Sequence, residues 1–306
     1  MAKVFITGSA GFIASHLWDY LRERGHSVEG IDNFSHACRH PENHRVSYGD
    51  IRYYQDVEKY IKWADIVIHC AAQIHVDKSI TNPQETIDVN VSGTLNILEA
   101  VRKYDKRLVF ASSSEVYGTS QTEAMDELHP LDGQSPYAAS KTAGDRLCKA
   151  YFDTYGTKIT VLRNFNTFGK YQNDTSYGGV IAIFTRRALN NEDIVVFGDG
   201  TQSRDYMDIK DALRGYELCM SEDNLIGETI NVGTGKTITI NEVAEIIKKL
   251  TKSKSKIVHA NSRPGEVMRL CADITRAKEN GFEPQTDFEK DINDYVQWYQ
   301  SSNRSR

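Results

Sequence analysis

The chain has 306 residues, 40% of them hydrophobic, with a formal charge of −5 and five cysteines. That length is ample for a well-buried core and suits either one large α/β unit or two connected lobes. The acidic balance gives no electrostatic basis for nucleic-acid or membrane-surface binding, so an anionic ligand must find local basic residues.

Cys38, Cys70, Cys148, Cys219 and Cys271 show no CxxC spacing and several lie in apolar runs, which reads as reduced thiols in a cytoplasm. The chain opens on KVFITG, without a charged leader or cleavage site, and no apolar stretch approaches the length of a bilayer span. Neither a secretory signal nor a membrane segment is expected.

In chain order, KVFITG, SVEGID, ADIVIHCAA, RLVFASS and KITVLRN read as strands, and FIASHLWDYLRERG, VSGTLNILEAVRKY and residues 137–155 as helices. Strands that are continuous apolar runs between helices indicate a parallel sheet covered on both faces, a doubly wound α/β fold. Past Asn166 the rhythm changes. Residues 170–180 form a polar, Gly-rich loop, AIFTRRALNN looks helical, and IVVFGDGTQSRDYMDI reads as strand, tight turn, strand. A helix over NEVAEIIKKLTK and closing segments ITRAKENGF and DINDYVQWY follow. The expected division is a first domain over 1–165, to which 203–232 returns, and a smaller lobe over 166–306. The stretch KKLTKSKSK reads as a solvated helix end.

The first strand runs into Gly8-Ser9-Ala10-Gly11-Phe12-Ile13-Ala14 and then a helix. This is the context of a dinucleotide fingerprint. Gly8 permits the tight turn, Gly11 lets the backbone approach a pyrophosphate, and a small residue at 14 allows close helix–strand packing. The pyrophosphate would lie over the amides of the helix N-terminus. Asp32 follows the second strand at about the interval for accepting from ribose hydroxyls, and its charge repels a 2′-phosphate, favouring NAD over NADP. Asp50, in YGDIR, either hydrogen-bonds the adenine or ends a strand.

Ser112–Gly118 reads SSSEVYG, and SPYAASK follows with Tyr137 four residues before Lys141. On a helix that spacing puts phenol and ammonium on one face, where a cation favours tyrosinate and makes the phenol a base. His36, His40 and His44 recur every fourth residue around Cys38, but Pro41 interrupts any helix that would align them. They read as a polar loop beside the adenosine, and no metal site is expected.

With Gly8, Gly11, Asp32, Tyr137 and Lys141 in this order and spacing, the chain resembles the extended short-chain dehydrogenase/reductases of the nucleotide-sugar epimerase/dehydratase kind. The resemblance extends to AAQIHVDKSI, NVSGTLNILEA, FNTFG, GDGTQSRDYMDI and RPGEVMRLCAD, nearly the whole chain. It implies a Rossmann-type doubly wound parallel sheet with a smaller C-terminal substrate lobe, a tightly held NAD, a nucleotide-diphosphate sugar as substrate and a homodimer.

The resemblance also assigns residues. Gly8, Gly11, Phe12, Ile13, Asp32, Asn33, Asp50, Ile51, Ala71 and Ala72, with Tyr137 and Lys141, would hold NAD. Ser113 would relay the proton between Tyr137 and the sugar 4-hydroxyl, Asn90 would support the site, and His75, Ser114, Asn166, Arg204 and Arg263 would contact the substrate. A guanidinium suits a diphosphate because its donors form a planar fork.

All members begin with oxidation at carbon 4. Glu115 occupies the position of the carbon-5 base of 4,6-dehydratases, where simple 4-epimerases more often have a small or hydroxylated residue. Ser114 departs from the dTDP-glucose dehydratases, which have Asp there. The expectation is therefore a nucleotide-sugar 4,6-dehydratase, with the departure at Ser114 counting against dTDP-glucose and the nucleobase and hexose left open. The alternatives are a 4-epimerase, a UDP-glucuronate decarboxylase, for which no clear carboxylate clamp is seen, and a non-catalytic NAD-binding module.

Overall fold

The computed structural model describes residues 1–39, 46–175, 178–262 and 266–303. The strands are β1 (Lys3–Thr7), β2 (Ser27–Asp32), β3 (Val46–Tyr48), β4 (Ile66–His69), β5 (Arg107–Ser113), β6 (Ile159–Asn164), β7 (Asn166–Phe168), β8 (Ile194–Phe197), β9 (Ser203–Arg204), β10 (Tyr206–Asp208), β11 (Thr229–Val232), β12 (Ile238–Thr239), β13 (Ile257–Ala260) and β14 (Arg269–Leu270). The α-helices are α1 (Phe12–Glu23), α2 (Tyr54–Trp63), α3 (Val76–Thr81), α4 (Pro83–Ile87), α5 (Thr94–Lys103), α6 (Pro136–Tyr155), α7 (Val180–Leu189), α8 (Ile209–Ser221), α9 (Ile240–Thr251), α10 (Thr275–Glu279) and α11 (Phe288–Asn303).

Seven strands form one parallel sheet in the order β11-β6-β5-β4-β1-β2-β3. It is the doubly wound Rossmann-type α/β fold. The chain winds outward from β1 through β2 and β3, then reverses through β4, β5 and β6 on the other side, so the switch point lies between β1 and β4. Each face carries its own apolar cluster: Leu17, Leu21, Ala212 and Tyr216 of α1 and α8 on one, Val57, Ile61, Ile97 and Val101 of α2 and α5 on the other.

Local chemistry fixes α6. Ser135 accepts a hydrogen bond from the Ala138 amide, Pro136 fills the first turn, and Gly156 ends the helix in the left-handed region at φ 66°. Its inner face lies hard on β5, since a Cβ on Gly144 would come 2.8 Å from the Phe110 ring.

The lobe packs α7, α9 and α11 around Ile181, Phe184, Val243, Ile247 and Ile292. β8 pairs in parallel with β13, and β9 lies between β12 and β14. The run IVVFGDGTQSRDYMDI therefore does not close on itself: Gly198 and Gly200, both at positive φ, send β9 into a different sheet from β8. β11 lies against β6 at the edge of the central sheet. The expected helix over VSGTLNILEAVRKY begins inside a π-helical turn, Asp88–Gly93, a device frequent at functional sites, and continues as α5. Among the described residues no helix is long and apolar enough to cross a membrane.

Candidate active site

A cleft of about 680 Å³ opens at the carboxyl ends of the central strands and is closed from the other side by the lobe. Open α/β sheets bind ligands at this switch point. Gly8 follows β1 at φ 69°, and a Cβ there would lie 2.7 Å from the Ala71 Cα, so only glycine lets the two strand ends come this close. Gly11 stands at the N-terminus of α1 with no side-chain cap, leaving its amides open to an anion. Phe12, Ile13, Ala71 and Ala72 line the same stretch of cleft.

At the end of β2 the Asp32 carboxylate accepts from the Ala10 amide at 2.9 Å and the Phe34 amide at 2.7 Å. Burial raises its pKa while these bonds oppose the rise. Asn33, Asp50 and Ile51 also reach the cleft. Asp50, however, is already used: Arg52 engages both its oxygens, Asn33 donates to it, and although burial pushes upward these bonds hold its carboxyl at about 2. Asp50 thereby fixes Arg52 and Asn33 at the rim of the cleft.

Ser113 ends β5 directly beside Asn164 of β6. Its hydroxyl lies near enough to the Tyr137 phenol to lower that group's pKa, and it accepts from the Glu115 amide at 3.2 Å. Tyr137 and Lys141 share the inner face of α6, both buried, and line the cleft with Ser114 and Glu115. The expected depression of the phenol by the ammonium is not what these residues produce. Burial pushes Tyr137 up to about 12, with the Ser113 hydroxyl opposing and Glu115 adding to the rise. Lys141 is itself pulled down to about 8 by burial and donates to the Ala111 carbonyl. Desolvation outweighs the charge pairing that the i, i+4 spacing suggests.

Glu115 projects from a 3₁₀ turn, Ser114–Tyr117, that follows β5. Burial raises its pKa, Arg204 opposes the rise and Glu266 adds to it. Arg204 reaches the cleft from the lobe with a Nη2 4.0 Å from Glu266 Oε1, and its Nη1 donates to the Ser203 carbonyl. Asn166 lines the cleft with its Oδ1 buried and without a partner among the described residues, as is Glu266 Oε2. His75 lies at the cleft with its ring edge-on to His36, centroids 4.7 Å apart. Arg263, and His40 and His44 of the histidine-rich loop, lie outside the described residues. Among those described, no group of three or more His, Cys, Asp and Glu could hold a metal ion.

Asn90 explains the π-helical turn. Its side chain accepts from the Gln73 amide at 2.7 Å and donates to the Gln73 carbonyl and to Ser140 on α6, tying the segment after β4 to the helix of Tyr137. Sequence reasoning missed Gln73 and Glu266. Both sit inside segments already singled out, AAQIHVDKSI and RPGEVMRLCAD, and only folding shows which of their side chains reach the cleft.

A model of the NAD dependent epimerase/dehydratase family matches residues 4–233. The chain belongs to this family. A putative UDP-glucose 4-epimerase of Methanocaldococcus jannaschii is 37% identical, over 99% of this chain and 100% of its own length. The UDP-N-acetyl-alpha-D-glucosaminuronate decarboxylase of Bacillus cytotoxicus is 35% identical over 97% of each. Among solved structures, the dTDP-glucose 4,6-dehydratase DesIV of Streptomyces venezuelae, with NAD bound, superposes at a TM-score of 0.91 with 28% identity, covering 98% of both chains.

As a family member the protein is an NAD-dependent enzyme. The cradle fits that cofactor: a glycine turn pressed on Ala71, an uncapped helix start and a carboxylate at the end of β2 are what a dinucleotide requires.

Proposed function

We propose that the protein is a nucleotide-sugar 4,6-dehydratase. The observation that carries this reading is Glu115, a half-buried carboxylate lining the cleft close enough to Tyr137 to raise its pKa, with its own pKa raised by desolvation. A carboxyl raised in this way is a stronger base when ionised, as removal of a carbon-5 hydrogen beside a ketone requires.

In this reading Tyr137 takes the proton of the sugar 4-hydroxyl and Ser113 holds that hydroxyl through its own. NAD, held by the Gly8 turn, the start of α1 and Asp32, would supply the hydride acceptor for carbon 4 and donor for carbon 6, and a positive charge that favours tyrosinate. Lys141 keeps α6 docked on β5 through the Ala111 carbonyl. Glu115 removes the proton of carbon 5 and passes it to the 6-hydroxyl, which departs as water, and a solvent proton is added at carbon 5 as the hydride reaches carbon 6. Arg204, with Arg263, would hold the diphosphate, and Asn166 and His75 would border the sugar. Residues 1–165 with the returning 203–232 would carry NAD and residues 166–306 the nucleotide sugar, in a homodimer.

A second reading, a 4-epimerase, is favoured by the Methanocaldococcus relative. Turnover of UDP-, GDP- and dTDP-hexoses and of UDP-hexuronates in deuterated water separates the possibilities. The expected product carries solvent deuterium at carbon 5 and a methyl group at carbon 6. A product altered only in carbon-4 configuration, without label, overturns the dehydratase in favour of the epimerase, and release of carbon dioxide from a hexuronate overturns it in favour of a decarboxylase.

A further inference from the structure

Beneath the catalytic groups lies an ion pair that the chemistry above does not use. Asp145 of α6 is 0% exposed and Arg163 of β6 is 2% exposed. The guanidinium grips the carboxylate with two bonds, Nε to Oδ2 at 2.9 Å and Nη2 to Oδ1 at 3.0 Å. Replacing a buried pair by well-packed apolar residues is often neutral or stabilising, so its presence is weak grounds for a role in stability.

Its remaining bonds show what it holds. Asp145 Oδ2 accepts from the Ser112 hydroxyl at 3.0 Å, and Arg163 Nη1 donates to the Tyr117 phenol oxygen at 2.9 Å and to the Glu127 carbonyl at 3.0 Å. The Tyr117 hydroxyl in turn donates to Asn231 Oδ1 at 2.6 Å, on β11. Ser112 and Tyr117 bracket Ser113 and Glu115. Asp145 sits one helical turn beyond Lys141 and two beyond Tyr137. One pair thus ties both ends of the Ser113–Glu115 segment to the helix carrying Tyr137 and Lys141.

We infer that Asp145 and Arg163 are positioning residues: their buried pair, acting through Ser112 and Tyr117, sets the register between the proton relay on β5 and the base on α6. Catalysis is steep in this geometry, because a displacement of about 1 Å can cost on the order of 10²-fold in rate. The inference concerns the carbon-4 oxidation and does not depend on which reaction follows it.

The test is the paired apolar variant Asp145→Leu with Arg163→Met, beside Tyr117→Phe, which removes a single hydroxyl and keeps the pair. Each is assayed on the nucleotide hexose that the wild-type protein turns over, with thermal melting and NAD titration alongside. The paired variant is expected to melt cooperatively at or above the wild-type temperature while kcat falls about 10²-fold with KM and NAD affinity little changed. Tyr117→Phe is expected to lower kcat about tenfold at unchanged KM, by loosening only the Glu115 end. Wild-type kcat in a stably folded paired variant, or in Tyr117→Phe, overturns the inference, as does a loss that appears in KM and melting temperature while kcat holds.

Discussion

Replacing Glu115 by Gln separates two steps that share one cleft. The change keeps the shape of the side chain and removes its charge. Loss of a general base typically costs about 10²–10⁴ in rate, or about 3–5 kcal/mol of barrier, so elimination should become undetectable against a normal turnover. The oxidation should behave differently. The Glu115 charge is one of the causes that raise the Tyr137 pKa, so its removal lets the phenol ionise more readily and leaves carbon-4 oxidation as fast as before or faster.

The assay is a single turnover followed at 340 nm with product analysis by chromatography. The wild type should show at most a small transient, and Glu115→Gln should accumulate absorbance without yielding a 6-deoxy sugar. The pH dependence has a definite sign. Glu115 acts as its carboxylate and burial raises its pKa, so wild-type elimination fails as pH falls through that raised value, earlier than for an exposed glutamate. A variant that forms the 6-deoxy product at the wild-type rate refutes the assignment. One that gives no absorbance at 340 nm shows instead that Glu115 serves the oxidation itself.

Two further outcomes follow from the cradle and the core. Gly8→Ala puts a side chain in the left-handed region and within 2.7 Å of backbone that cannot rotate away, a penalty of about 2–5 kcal/mol from strain and overpacking together. Urea denaturation should show that loss and NAD titration a weakening of about tenfold or more, whereas unchanged values would mean that the turn absorbs the methyl. His69 is buried between the Thr7 and Thr94 hydroxyls, and burial drops its pKa to about 3, with Lys141 contributing. The unfolded chain binds the proton first, so stability from this site is present above about pH 6.5 and is lost at about 1.4 kcal/mol per pH unit as pH falls towards 3. His69→Asn should remove that slope between pH 7 and pH 5 in urea melts, and parallel slopes in both proteins would contradict the assignment.

The parallel sheet was readable because its strands are continuous apolar runs, such as VFIT and IVIH, and because Gly8, Pro136 and Gly156 mark turns and caps whose chemistry is local. The short pieces were not. β3, α3 and α4 have no period long enough to register, and the π-helical turn at Asn90 exists to satisfy Gln73, seventeen residues earlier in the chain. The pairing of β8 with β13 joins segments some sixty residues apart and overrides the hairpin-like look of the Gly198–Gly200 turn.

The site divides along the same line. Spacing alone put Tyr137 and Lys141 on one helix face, and there the local argument stops, because it treats the pair as if in water. Folding buries both, and desolvation then raises the phenol and lowers the ammonium, the reverse of the shift their proximity suggests. Burial raises the pKa of Tyr137 and of Glu115 alike, so each is a stronger base once ionised and each is harder to ionise. With the phenol at about 12, its ionisation in the proposed reaction depends on the positive charge that the cofactor brings. Oxidation should accordingly require bound NAD for its proton transfer as well as for its hydride.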